Sequence, residues 1–142
     1  MSTKLNWAVL GTGVIANQMA QALQKMGKPL YAVGNRTYEK AVEFAKRYDI
    51  QKVYPQIDDM FEDEAVDIIY ITSPHNTHYG FMKKALEHGK HLLVEKSITL
   101  NSEELDEIGK IFKFDFTHLV RIIGLKSLPC LFGVTIWSID SL

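Results

Sequence analysis

The chain has 142 residues, of which 46% are apolar and 23% charged, with a formal net charge of −1 at pH 7. That is enough for one domain with a real core, in the composition range of soluble globular proteins. Acidic and basic residues are interspersed and no long apolar run occurs, so neither nucleic acid nor a membrane is an expected partner.

Residues 5–10 (LNWAVL) are an apolar run expected to form the first strand, and the Gly-Thr-Gly that follows interrupts it too early for a signal peptide. Gly11-Thr12-Gly13-Val14-Ile15-Ala16 is then a G-x-G-x-x-[GA] turn, set between a strand and a helix as its chemistry requires. Gly11 permits the tight turn, Gly13 leaves room for a pyrophosphate against the backbone, and Ala16 lets the helix sit close on the strand. Backbone N–H groups from Thr12 through Val14 and Ile15 would face the phosphates, where the helix dipole favours negative charge. Dinucleotide binding is the expected role.

Val14/Ile15, Met19, Ala22/Leu23 and Met26 predict a helix over 14–26, ended by Gly27 and Pro29. Leu30–Gly34 reads as the second strand, and Thr37 as the cap of a helix with the apolar face Tyr38, Ala41/Val42, Ala45 and Tyr48. Lys52–Tyr54 is a short third strand stopped by Pro55, and Ile57–Phe61 a helical turn. Asp67–Thr72, nearly continuously apolar and β-branched, reads as a buried central strand. A helix over 77–88 closed by Gly89 and a strand over 91–94 follow. In the last helix Asn101 is the N-cap, Glu104 completes a capping box, and Leu100 can staple to Leu105. This alternation predicts an α/β fold, a doubly wound parallel sheet (Rossmann) of five or six strands.

Beyond Lys113 only four charged residues occur in 29 positions, against 29 in the first 113. Leu119–Ile123 and Leu131–Ile136 are candidate strands. A sixth strand with a short tail, a boundary imposed on a longer chain, and a reading-frame change near residue 112 all remain open. Cys130 is the sole cysteine, so it reads as a small buried hydrophobe; no intrachain disulfide is possible, and a cytoplasmic location is expected.

The end of the second strand bears on cofactor choice. A carboxylate there binds the ribose hydroxyls of NAD, whereas an arginine receives the 2′-phosphate of NADP. Gly34-Asn35-Arg36-Thr37 has no carboxylate before Glu39; Asn35 and Thr37 can hydrogen-bond a phosphate and Arg36 can fork onto it, which favours NADP over NAD. Strand 67–72 runs into Thr72-Ser73-Pro74-His75-Asn76-Thr77-His78, a loop expected to border the nicotinamide half. His75 and His78 are spaced by three but have no third ligand, so no metal site is expected. Strand 91–94 runs into Glu95-Lys96-Ser97; a lysine desolvated at that strand end could exchange a proton with a hydroxyl or carbonyl oxygen, or could belong to a commonplace surface pair.

With these four sites in order, the chain resembles the N-terminal domain of the Gfo/Idh/MocA (glucose–fructose oxidoreductase / inositol dehydrogenase) family. The resemblance rests on AVLGTGVIA at 8–16, AVGNRTYEKA at 32–41, DIIYITSPHNTHY at 67–79 and HLLVEKSITLNSEEL at 91–105, and covers residues 4–113. It implies that Lys96 is a catalytic, nicotinamide-contacting residue of a Glu-Lys-Pro signature in which Ser97 replaces the proline. It also implies cofactor contacts for Glu95, Asn76 and His78. The implied activity is NADP-dependent oxidation or reduction at a carbon bearing a hydroxyl or carbonyl, with a sugar, polyol or dihydrodiol as substrate.

Members of that family carry a second domain that builds the substrate pocket. The chain is therefore expected to be the dinucleotide-binding half alone: a Rossmann domain over 1–113 and an apolar tail over 114–142, with an uncovered face prone to self-association. Whether such a chain is itself an enzyme stays open, because turnover needs a positioned substrate. The alternatives are an inactive nucleotide-binding fragment and an NADP-sensing binding module.

Overall fold

The computed structural model describes residues 4–95, 100–113 and 120–123. Strands β1 (Trp7–Leu10), β2 (Ala32–Gly34), β3 (Lys52–Val53), β4 (Ile68–Ile71), β5 (His91–Glu95) and β6 (Val120–Ile123) form one sheet, in the order β3-β2-β1-β4-β5-β6. Every neighbouring pair is parallel. Parallel neighbours require crossovers, and among the described residues these are α1 (Val14–Lys25), α2 (Tyr38–Tyr48), α3 (Ile57–Glu62), α4 (His78–Glu87) and α5 (Ser102–Lys113). The strand order reverses between β1 and β4, which creates the crevice where such sheets bind ligands. The expected doubly wound α/β fold is the fold observed. Within the candidate strand at 119–123, Val120–Ile123 form β6, while Leu131–Ile136 and Cys130 lie outside the described residues.

Side chains alternate along a strand. Ala8 and Leu10 therefore join Ile69, Ile71, Leu92 and Val94 in one apolar layer, while Val9 joins Val33, Tyr70 and Leu93 in the other. Met60, Phe61, Met82, Leu86 and Ile108 of α3, α4 and α5 cover the first layer; α1 and α2 cover the second. Burial of β4 on both faces is why its sequence is a continuous apolar run.

Three local expectations change. Spaced by four and three, Ala16, Ala20 and Leu23 form the stripe of helix α1 that faces the sheet, and Val14, two residues before Ala16 and so on the far side of the helix, is left 73% exposed. Helix α2 buries Phe44 in addition to Ala41, Ala45 and Tyr48, and leaves Tyr38 exposed. At the start of α5, Asn101 Oδ1 accepts the Glu104 N–H (2.9 Å) and Glu104 Oε2 accepts the Leu100 N–H (3.1 Å), so the polar cap forms. Leu100 and Leu105 remain 63% and 48% exposed, however, and the expected staple buries little apolar area.

Asp63, between α3 and β4, accepts hydrogen bonds from Lys52 Nζ, the Tyr54 hydroxyl and the Ala65 N–H. Burial pushes its carboxyl pKa up, but these three donors outweigh burial and bring it down to about 2. A folded pKa below the unfolded value stabilises fully at neutral pH and is lost as the pH falls from about 4 to about 2. Asp63→Asn is thus expected to lower urea-unfolding stability by roughly 2 kcal/mol at neutral pH, with the gap to the parent closing over that acid range. A gap independent of pH would show that the carboxylate charge contributes nothing.

Candidate functional site

The carboxyl ends of β1, β2 and β4 are fastened to one another. The Gly11 N–H donates to Gly34 O (2.9 Å), joining β1 to β2. Thr72 donates to Leu10 O through both its N–H (2.9 Å) and its hydroxyl (3.1 Å), joining β4 to β1. Gly11 adopts φ +116°, and a Cβ there would overlap Thr72 Oγ1 and sit 3.2 Å from the Thr72 carbonyl carbon. The first glycine of the turn is therefore demanded by the protein itself.

Gly13 differs. A Cβ built on it meets no atom within 4 Å, so its missing side chain leaves open space along the groove it lines. Gly13 is the N-cap of α1, whose start has no side-chain cap and no acidic residue in the first turn. Unclaimed N–H groups beside open space at a helix N-terminus fit a phosphate group.

A groove of about 920 Å³ runs along this edge of the sheet. Of the residues singled out in the sequence, Gly11, Thr12, Gly13 and Ile15 line it from the turn, Asn35, Arg36 and Thr37 from the end of β2, and Thr72, Ser73 and Pro74 from the end of β4. Asn35 shapes the groove: its Nδ2 donates to Thr12 Oγ1 (2.8 Å) and its Oδ1 accepts the Thr37 N–H (2.8 Å). The Asn35 carboxamide thus holds the entry to α2, where Thr37, expected as a side-chain cap, makes no cap bond. Arg36 is exposed and makes no ion pair among the described residues.

The β4–α4 loop is braced from within. Thr77 Oγ1 donates to Pro74 O (2.7 Å), so the Ser73 hydroxyl donates in turn to Thr77 Oγ1 (2.7 Å). His78 is 0% exposed, and its Nε2 lies 2.7 Å from Ser73 O; a carbonyl only accepts, so Nε2 carries the hydrogen. His78 therefore supports the loop from behind and is not among the groove-lining residues; neither are Val14 and Asn76, while His75 and Thr77 are. Glu95 ends β5, and its side chain, like Lys96, lies outside the described residues.

A turn that leaves phosphate-sized space, at the switch point of a parallel sheet, is a dinucleotide-binding arrangement. Residues 5–115 match the family described as "Oxidoreductase family, NAD-binding Rossmann fold" (GFO_IDH_MocA). The chain belongs to the Gfo/Idh/MocA oxidoreductase family. Its relatives include an uncharacterized oxidoreductase of Escherichia coli, YgjR, which is 32% identical over 103 residues covering 72% of this chain and 31% of that protein. The trans-1,2-dihydrobenzene-1,2-diol dehydrogenase of Xenopus laevis is 32% identical over 111 residues, covering 76% of this chain and 33% of the enzyme. The chain thus spans about a third of the length of these curated relatives. Among solved structures, an NAD-binding oxidoreductase from Klebsiella pneumoniae superposes with a TM-score of 0.78 at 24% identity, over 84% of this chain and 34% of the other.

In this Gfo/Idh/MocA domain the groove has further lining residues that the sequence alone did not single out, notably Lys40, Glu43 and Arg47 of α2. Their spacing of three and four places them on one helical stripe, continuous with Arg36, and that periodicity was the available signal. Glu43 is paired with Arg47 (3.0 Å), and Glu39, the first carboxylate after β2, does not line the groove. Three cations against one bonded carboxylate make that end of the groove electropositive. Among the described residues no three His, Cys, Asp or Glu side chains gather into a metal site, and no helix is long and apolar enough to cross a membrane.

Proposed function

We propose that this chain forms the NADP-binding domain of an oxidoreductase acting at a carbon that bears a hydroxyl or carbonyl, in a sugar, polyol or dihydrodiol. The observation that carries this reading is the joining, in one groove, of the open Gly13 turn to the cation-lined end of β2. The turn and the first N–H groups of α1 take the pyrophosphate, and Arg36 with Lys40 takes the 2′-phosphate. Thr72, Ser73 and Pro74, on their internally braced loop, form the wall beside the nicotinamide half. When bound, the dinucleotide supplies hydride exchange with the substrate carbon.

Lys96 exchanges the proton with the substrate oxygen in this proposal. Its support is its position in the chain, directly after β5, whose Val94 pairs with Ile71 at the end of β4. The substrate class is supported by the relative named as a dihydrobenzene-diol dehydrogenase. A reducing, cytoplasmic setting fits a chain with a single cysteine.

Cofactor preference tests the proposal directly. Arg36→Ala is expected to weaken NADP binding by about 1–3 kcal/mol, the value of a charge-assisted hydrogen bond, while NAD binding stays nearly constant. Titration calorimetry with both dinucleotides reads the difference. Equal affinities of the parent chain for NADP and NAD would overturn the NADP assignment.

A further inference from the structure

We propose that Asn17 is a positioning residue for the pyrophosphate: its carboxamide, held by the last turn of α2, fixes the direction of the Gly13 and Val14 N–H groups. This rests on the dinucleotide reading of the groove and identifies what gives the turn its shape.

Asparagine one turn into a helix is a poor helix former, because its side chain competes for backbone groups. Here the competition is directed at the turn. Asn17 Nδ2 donates to Gly13 O (2.8 Å) and to Thr12 O (3.3 Å), and its own backbone N–H donates to Gly13 O as well (3.1 Å). A trans peptide is planar, with its N–H pointing opposite to its C=O. Gripping the Thr12 and Gly13 carbonyls therefore turns the Gly13 and Val14 N–H groups away from Asn17, toward the open side of the turn.

The other half of the carboxamide is held just as firmly. Asn17 Oδ1 accepts from the Tyr48 hydroxyl (2.6 Å) and from an Arg47 guanidinium N–H (3.1 Å), and Arg47 is itself braced by Glu43. Two donated and two accepted bonds use the full capacity of a primary amide. The opposite flip would set Nδ2 against the Arg47 guanidinium, which only donates, and Oδ1 against two carbonyls, so one orientation is selected. The helix that presents Lys40 to the groove thus also sets the phosphate turn.

The test titrates the full chain with ADP, which has a pyrophosphate and no 2′-phosphate, and with 2′-AMP, which has the reverse. Asn17→Ala is expected to weaken ADP about tenfold and to leave 2′-AMP within about twofold, because only the pyrophosphate contacts depend on the turn. Asn17→Ser, whose hydroxyl can donate to the carbonyl four residues back, is expected to recover part of the ADP affinity. In amide NMR spectra, ADP should shift Gly13 and Val14 strongly in the parent and weakly in Asn17→Ala. Equal loss of both ligands, or no loss of ADP, overturns the positioning role while leaving the dinucleotide site standing. A parent chain that binds neither ligand overturns the dinucleotide reading and this proposal with it. If Asn17→Ala does not fold, Tyr48→Phe decides: loosening the brace without touching the turn should weaken ADP about threefold and spare 2′-AMP, and unchanged ADP affinity refutes the proposal.

Discussion

Gly13→Val is expected to abolish binding of NADP and NAD alike and to leave the fold intact. The parent residue sits at φ −77° and ψ −169°, a backbone conformation open to any residue, and a Cβ there meets no protein atom within 4 Å. Nothing in the folded chain meets the added Cβ. The branched γ-carbons would instead occupy the space beside the first N–H groups of α1, where a phosphate oxygen must approach. Losing two charge-assisted hydrogen bonds costs about 3 kcal/mol or more, over a hundredfold in affinity. Calorimetry and circular dichroism on the same sample separate the two effects. A variant that binds as the parent does removes the pyrophosphate from this turn, and one that loses its helix signal makes Gly13 a residue of the fold.

Much of this arrangement is legible in the order of the amino acids. Strand β4 announces itself because burial on both faces leaves no charged position in Ile68–Ile71, and the Gly11–Ala16 turn because its spacing is tied to close backbone approach. Other features depend on how elements are set against each other. Ala16 and Ala20, not Val14 and Met26, face the sheet, because helix-to-strand distance decides which stripe is buried and apolarity alone does not. His78 looks in sequence like a ligand at a helix start; only the fold shows it enclosed and bonded to Ser73 O. Asn17 is the subtler case: its partners Arg47 and Tyr48 lie 30 and 31 residues away, so nothing local distinguishes it from a solvated asparagine.

Gly11→Ala is expected to act in the opposite sense to Gly13→Val, destabilising the fold by about 2–5 kcal/mol and disturbing binding only as a consequence. Two causes contribute, and they can be separated. Holding a residue with a Cβ at φ +116° costs about 1–3 kcal/mol in backbone strain wherever it occurs. The Cβ would also overlap Thr72 Oγ1, the hydroxyl that donates to Leu10 O and ties β4 to β1. Rotating that hydroxyl away breaks the tie and still leaves the Thr72 carbonyl carbon at 3.2 Å and the Ser73 nitrogen at 3.3 Å, too close for a comfortable contact. In the background of Thr72→Ala the overlap disappears and the strain remains, so the cost of Gly11→Ala should fall by about 1–2 kcal/mol without vanishing. Urea unfolding of the four chains in this cycle measures both contributions. A fully additive cycle would assign the whole cost to backbone strain and the two backbone contacts, with nothing from the hydroxyl, and a parent-like midpoint for Gly11→Ala would mean the turn relaxes without loss. Because the domain as a whole has only about 5–15 kcal/mol to lose, the expected penalty is large enough to deplete folded chain at physiological temperature. Gly11 thus lets the strand ends close on one another, while Gly13 leaves the groove beside them open.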